Sequence, residues 1–200
     1  MNKSKNNRPS GKDSSETQNY ILIGFASIGK TTCGKLLAER LSYSFVDLDE
    51  AIIQRFEAET GQRLTCRAIY AGEGEERFIE LERRSLEQTV RSGPMVLATG
   101  GGAPLRPENR KLLSGAGYIV YLKAKPETIA KRMSAKGAPL SIGAAADLET
   151  IRAHCEMRNR IYASMADYII DSEGLTPEQV VDRILYRPAP GRSTDADAGK

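Results

Sequence analysis

Residues Gly24-Phe25-Ala26-Ser27-Ile28-Gly29-Lys30-Thr31 fit G-x-x-x-x-G-K-[ST], and no other stretch limits the possible folds of the chain so strongly. The pattern works in one setting only. A strand must deliver the loop and a helix must leave it, so that the glycines let the backbone curl and its N–H groups point at phosphate oxygens. Tyr20-Ile21-Leu22-Ile23 supplies an apolar run before the loop, and residues 30–41 carry a helical pattern after it. A chance glycine turn is the competing reading, and it leaves the agreement of strand, loop and helix without a cause. Lys30 is placed to hold β- and γ-phosphates, and the Thr31 hydroxyl to bind Mg2+. ATP is thus expected to lie against Gly24, Ser27, Ile28, Gly29, Lys30, Thr31 and Thr32. Hydrolysis by switches and motors and transfer to a small molecule both use such a loop, and the short chain favours transfer to an acceptor held in the same domain.

The alternation that frames the loop continues along the chain. Short apolar runs at Ser44–Val46, Met95–Ala98, Tyr118–Leu122 and Tyr168–Ile170 are separated by amphipathic segments over 49–57, 75–91, 106–114, 126–136, 147–163 and 177–185. This is the pattern of parallel strands joined by crossover helices. It predicts an α/β three-layer sandwich, a five-stranded parallel sheet with helices on both faces. Thr176, Pro177 and Gln179 together mark the start of the last helix as a capping box. Residues 1–19 and 187–200 are polar, lack a periodic apolar face and read as disordered tails around one domain over 20–186.

Composition narrows the partners. Twenty-nine basic against 26 acidic residues leave a charge of +3, too small and too evenly spread to argue for nucleic acid. No apolar run approaches the roughly 18 residues of a membrane span, and the first residues lack the apolar stretch of a secretion signal. Cys33, Cys66 and Cys155 are widely spaced and read as reduced thiols. A cytoplasmic monomer is the expected state.

Two further features fall at strand ends, where ligands bind in open α/β sheets. In Phe45-Val46-Asp47-Leu48-Asp49, alternate residues of an extended end point the same way, which turns both carboxylates towards the crevice. Asp47 can then fix a water of the Mg2+ shell, and Asp49 can accept a proton from an acceptor hydroxyl. Capping of the following helix is an equally good reading of the pair. Thr99-Gly100-Gly101-Gly102 exposes backbone N–H groups for close approach of a ligand, or forms a flexible turn.

Taken in order, GFASIGKTT, FVDLDEAI, GEERFIELE, ATGGG, APLS and RNRIY resemble the motifs of the shikimate kinase family over residues 20–186. The resemblance implies a short lid, ATP and Mg2+ as cofactors, and shikimate as the small-molecule acceptor. It implies that Thr31 and Asp47 serve the metal, that Lys30 and Asp49 are catalytic, and that Asp49, Gly100, Gly101, Gly102 and Arg158 bind the acceptor. Two arginines of the family pattern are replaced, one by Ile79 and the lid arginine by Ala138. Arg83, one turn from Ile79, and Lys136, two residues before Ala138, are cations that can compensate, or else solvated surface charges. Ile79 can equally be a core residue on a stripe with Leu86 and Val90. The replacements keep two alternatives open: a kinase of the same build acting on another ring alcohol or polyol, and a nucleotide- or metabolite-binding regulatory domain with impaired turnover.

Overall fold

A computed structural model describes residues 18–136 and 147–186 of the protein. Most of the expected tails and the lid position Ala138 lie outside the described residues. The elements run β1 (Asn19–Gly24), α1 (Lys30–Leu41), β2 (Ser44–Asp47), α2 (Leu48–Thr60), α3 (Cys66–Thr89) and β3 (Met95–Ala98). A 3-10 turn (Ala103–Leu105) leads into α4 (Pro107–Ser114), β4 (Gly117–Lys123), α5 (Pro126–Lys136), α6 (Leu148–Met165), β5 (Tyr168–Asp171) and α7 (Pro177–Leu185). The five strands form one parallel sheet in the order β2-β3-β1-β4-β5.

Strand periodicity divides the core into two layers. Leu22, Val96, Val120 and Ile170 face one way, onto Leu37 of α1, Ile129 of α5, Ile151 of α6 and Val181 of α7. Ile21, Ile23, Leu97 and Ile119 face the other way, onto Ile52 and Phe56 of α2, Leu81 and Leu86 of α3, and Leu113 of α4. Ile21, Leu22 and Ile23 are wholly inaccessible, and burial of each contributes about 1.5–3 kcal/mol. That double burial is why β1 reads as a continuous apolar run rather than an alternating one.

Parallel strands have no hairpin turn to fix their register, and here a side chain takes that part. Asn19 donates from Nδ2 to the Ala116 carbonyl at 2.8 Å and accepts from the Met95 N–H through Oδ1 at 3.0 Å, stitching β1 to both its neighbours. The clamp sits at the end of the sheet opposite the P-loop.

The helices differ from the sequence reading mainly at α3. It starts at Cys66, earlier than the expected 75, because Thr65 caps it by accepting from Ala68 N–H at 3.2 Å and Ile69 is fully buried. The glycine-rich run that hides this start leaves a mark, since Gly74 breaks the helix with φ 83° and ψ 172°. At α7 the expected capping box is present in both directions, at 2.9 and 3.3 Å.

Candidate active site

The phosphate loop is shaped by residues that tolerate a left-handed backbone. Gly24 has φ 143°, and a Cβ there would lie 2.4 Å from the Leu122 carbonyl oxygen. Ser27 and Gly29 follow at φ 60° and 110°. Gly29 stands at the N-cap of α1 with no side-chain cap bond, which leaves the first N–H groups of the helix and the positive end of its dipole for an anion. Lys30 is 7% exposed and donates to the Gly24 and Phe25 carbonyls at 3.0 and 2.7 Å. Burial lowers its ammonium pKa to about 8, opposed by the nearby Asp49 and Asp47 carboxylates. The cradle therefore holds a cation that gains stability when a phosphate arrives.

Asp47 caps α2 with one oxygen and meets the P-loop threonine with the other. Its Oδ1 caps α2 by accepting from Asp49 N–H at 3.1 Å, and its Oδ2 accepts from the Thr31 hydroxyl at 2.8 Å. Extended alternation is not what turns Asp49, since the strand ends at Asp47 and Asp49 sits in the first turn of α2. Asp49 is exposed, and it lines the same cleft as Gly100 and Arg158. Desolvation raises its pKa, Asp47 raises it further, and Lys30 pulls it back.

The glycine triplet packs against both features. A Cβ on Gly100 would lie 2.7 Å from Asp49 Oδ1, and one on Gly101 would lie 3.2 Å from the Ala26 amide nitrogen. Thr99 ties the start of this loop to β1 by donating from N–H and Oγ1 to the Leu22 carbonyl at 3.1 and 3.2 Å. From α6, Arg158 is 2% exposed and its guanidinium stands 4.9 Å from the Phe25 ring centre. One turn on, Tyr162 donates to the Gly101 carbonyl at 2.6 Å.

Asp49, Gly100, Gly101, Gly102 and Arg158 line one cavity of about 460 Å³, together with Tyr70, Phe78, Glu82 and Arg106. Tyr70 and Phe78 meet edge to face at 5.7 Å and make its apolar wall. A second hollow of about 280 Å³ lies along the other flank of the loop, bounded by Ser27, Gly29, Thr32, Arg132, Ser172 and Pro177. Arg132 donates to the Ile28 carbonyl there at 2.9 Å. The P-loop thus has one hollow on each side, the arrangement that transfer between two bound molecules requires.

A profile of the shikimate kinase family matches residues 26–187. The chain belongs to the shikimate kinase family. It is 37% identical over 168 residues to the shikimate kinase of Thermodesulfovibrio yellowstonii, covering 84% of this chain and 93% of that protein. The shikimate kinase of Symbiobacterium thermophilum is 38% identical over 172 residues, with 84% and 95% covered. Among solved structures, a shikimate kinase from Acinetobacter baumannii in complex with shikimate superposes with a TM-score of 0.75 at 32% identity, covering 85% of this chain and 92% of that one. The shikimate kinase from Aquifex aeolicus does so with a TM-score of 0.68 at 29% identity, with 84% and 94% covered. The α/β three-layer fold expected from the sequence is the fold of this family.

The structure brings the P-loop residues, Asp47, Asp49, the triplet and Arg158 to one end of the sheet. It does not bring Arg83, which pairs with Glu80 at 3.1 Å and with Glu87 along α3 itself. Lys136 is the last residue of α5. Sequence reasoning included Tyr162 only as the end of RNRIY, without a role of its own, and missed Arg132 and Arg106. Spacing from Arg158 on a helical face is a signal for Tyr162. Arg132 and Arg106 carry none, because an arginine in a polar segment reads as surface. All three cysteines are free, and among the described residues no helix is long and apolar enough to cross a membrane.

Proposed function

We propose that the protein transfers the γ-phosphoryl group of ATP to a hydroxyl of shikimate, giving shikimate 3-phosphate. One observation carries this reading: Asp49, the Gly100–Gly102 loop and Arg158 share a cavity that abuts the P-loop. The phosphates lie in the loop with Lys30 on the β- and γ-oxygens, and the nucleoside extends into the hollow beside Arg132. Shikimate lies in the other cavity with its carboxylate on Arg158, a bidentate partner for such a group.

Asp49 accepts the hydroxyl proton as the oxygen attacks phosphorus. Its raised pKa makes it a better base than an ordinary surface carboxylate, and the nearby Lys30 charge favours its ionised form. Lys30 remains charged and stabilises the oxygens that gain negative charge in transfer. Thr31 and Asp47, a hydroxyl and a carboxylate side by side at the phosphate end, fit a hard cation that takes its other ligands from phosphate and water. They would hold Mg2+, which neutralises charge on the phosphates.

The test is ADP release, coupled to a reporter, against a panel of ring acids and neutral ring alcohols. Shikimate is expected to stimulate release, and Asp49→Asn to reduce turnover by about 10²-fold or more with ATP affinity little changed. Stimulation by a neutral alcohol alone overturns the acceptor. No stimulation by any hydroxyl, with ATP still bound, favours the regulatory reading.

A further inference from the structure

Among the α3 side chains that line the acceptor cavity, Glu82, three positions beyond Ile79, is a buried acid. Glu82 is 5% exposed and is held by Asn109, itself 1% exposed, which donates to Glu82 Oε2 at 2.8 Å. A buried carboxylate in the wall of a pocket for an anion is unfavourable unless a cation stands beside it. Arg106 is that cation. Its Nε lies 3.3 Å from Glu82 Oε2, and its Nη2 lies 3.7 Å from Glu75 Oε1.

The backbone fixes where Arg106 points. Pro107 disfavours helical geometry for the residue before it, and Arg106 is extended at φ −89° and ψ 127°. Arg110 braces the turn behind it by donating to the Leu105 carbonyl at 2.8 Å. The Arg106 side chain is 29% exposed and lines the same cavity as Asp49, Gly100 and Arg158. A guanidinium has five N–H donors, so two ion-pair contacts of this length leave donors for a ligand.

We propose that Arg106 is a second acceptor-binding residue, pairing with the acceptor carboxylate alongside Arg158, and that Glu82 positions it. The proposal rests on shikimate as the acceptor. It also explains how α3 can carry Ile79: the arginine comes from the edge of α4, and α3 supplies the acid that aims it.

The experiment compares the parent with Arg106→Gln, Arg106→Lys and Glu82→Gln, using shikimate and its uncharged methyl ester. Arg106→Gln is expected to raise the shikimate KM by about tenfold or more, with kcat and the ATP KM within about twofold. The ester KM stays within about twofold, and Arg106→Lys, which keeps the charge without the fork, falls between. Glu82→Gln raises the shikimate KM by about threefold and leaves kcat unmoved, the split expected of a positioning residue. If Arg106→Gln does not fold in a melting experiment, the double variant with Glu82→Gln removes the buried acid with its partner and is read in its place. A shikimate KM within about twofold of the parent, or an equal loss for acid and ester, overturns the proposal alone. A parent that neither phosphorylates shikimate nor binds it in a calorimetric titration overturns the acceptor reading and this one with it.

Discussion

At the phosphate end of the cleft, Lys30 and Thr31 are held by bonds of 2.7–3.0 Å to backbone carbonyls and to Asp47. At the acceptor end, Arg106 meets its two carboxylates only at 3.3 and 3.7 Å. The first arrangement is dictated by a ligand that every P-loop shares, and its parts are backbone conformations that a few residue types allow. The second answers to one acceptor, and it uses long side chains whose charge can be supplied from more than one element. Phosphate chemistry is thus written into local sequence, and acceptor chemistry into packing between distant segments.

The largest effect that sharpens this contrast is expected for Lys30→Met, with turnover reduced by at least about 10²–10³-fold in an ADP-release assay. The same variant should melt no lower than the parent at pH 7. Between its folded pKa of about 8 and its ordinary 10.5, Lys30 binds fewer protons in the native state than in the unfolded one. Stability therefore rises with pH across that window, and the full penalty applies below it, where removing the charge stabilises by up to about 3 kcal/mol. Loss of activity together with a lower Tm would break the contrast, because the phosphate end would then be structural.

A smaller loss is expected at the seam between the two ends. Gly100→Ala puts a methyl group against Asp49 Oδ1 and must shift the carboxylate. Turnover should fall about tenfold to a hundredfold while the ATP KM stays within about twofold, since misplacement by about 1 Å can cost that much. An equal effect on ATP would mean that the two ends are not separable.

The smallest effect is on pH dependence. Lys30 loses its proton in the free enzyme as pH rises through about 8, so the ATP KM should increase about fivefold between pH 8 and 9. The shikimate KM, set at the other end of the cleft, should move by less than about twofold. Initial rates at fixed saturation of the other substrate separate the two.

How far each end was legible follows from the same difference. The strands and the P-loop announce themselves through apolar runs and through glycines that no other residue can replace, as at Gly24. Asp47 and Asp49 were found by position, although a helix turn and not a strand end orients Asp49. The early start of α3 was hidden because Gly72 and Gly74 look like breakers, while the burial of Ile69 decides the matter only in three dimensions. Arg106 and Glu82 are 24 positions apart by their numbers and become partners through the packing of α4 on α3. No local pattern records such a meeting.

The Asn19 clamp bears on how the chain is made. Its two partners lie 76 and 97 positions downstream, and among the described residues β1 pairs only with β3 and β4. The strand that carries the phosphate loop is synthesised first and completed late. At about 5–20 residues per second, its apolar run waits roughly 5–20 s after synthesis before β4 exists to cover its second edge. For that interval Tyr20–Ile23 is an open strand edge on a nascent chain, and its protection falls to whatever shields such segments during translation.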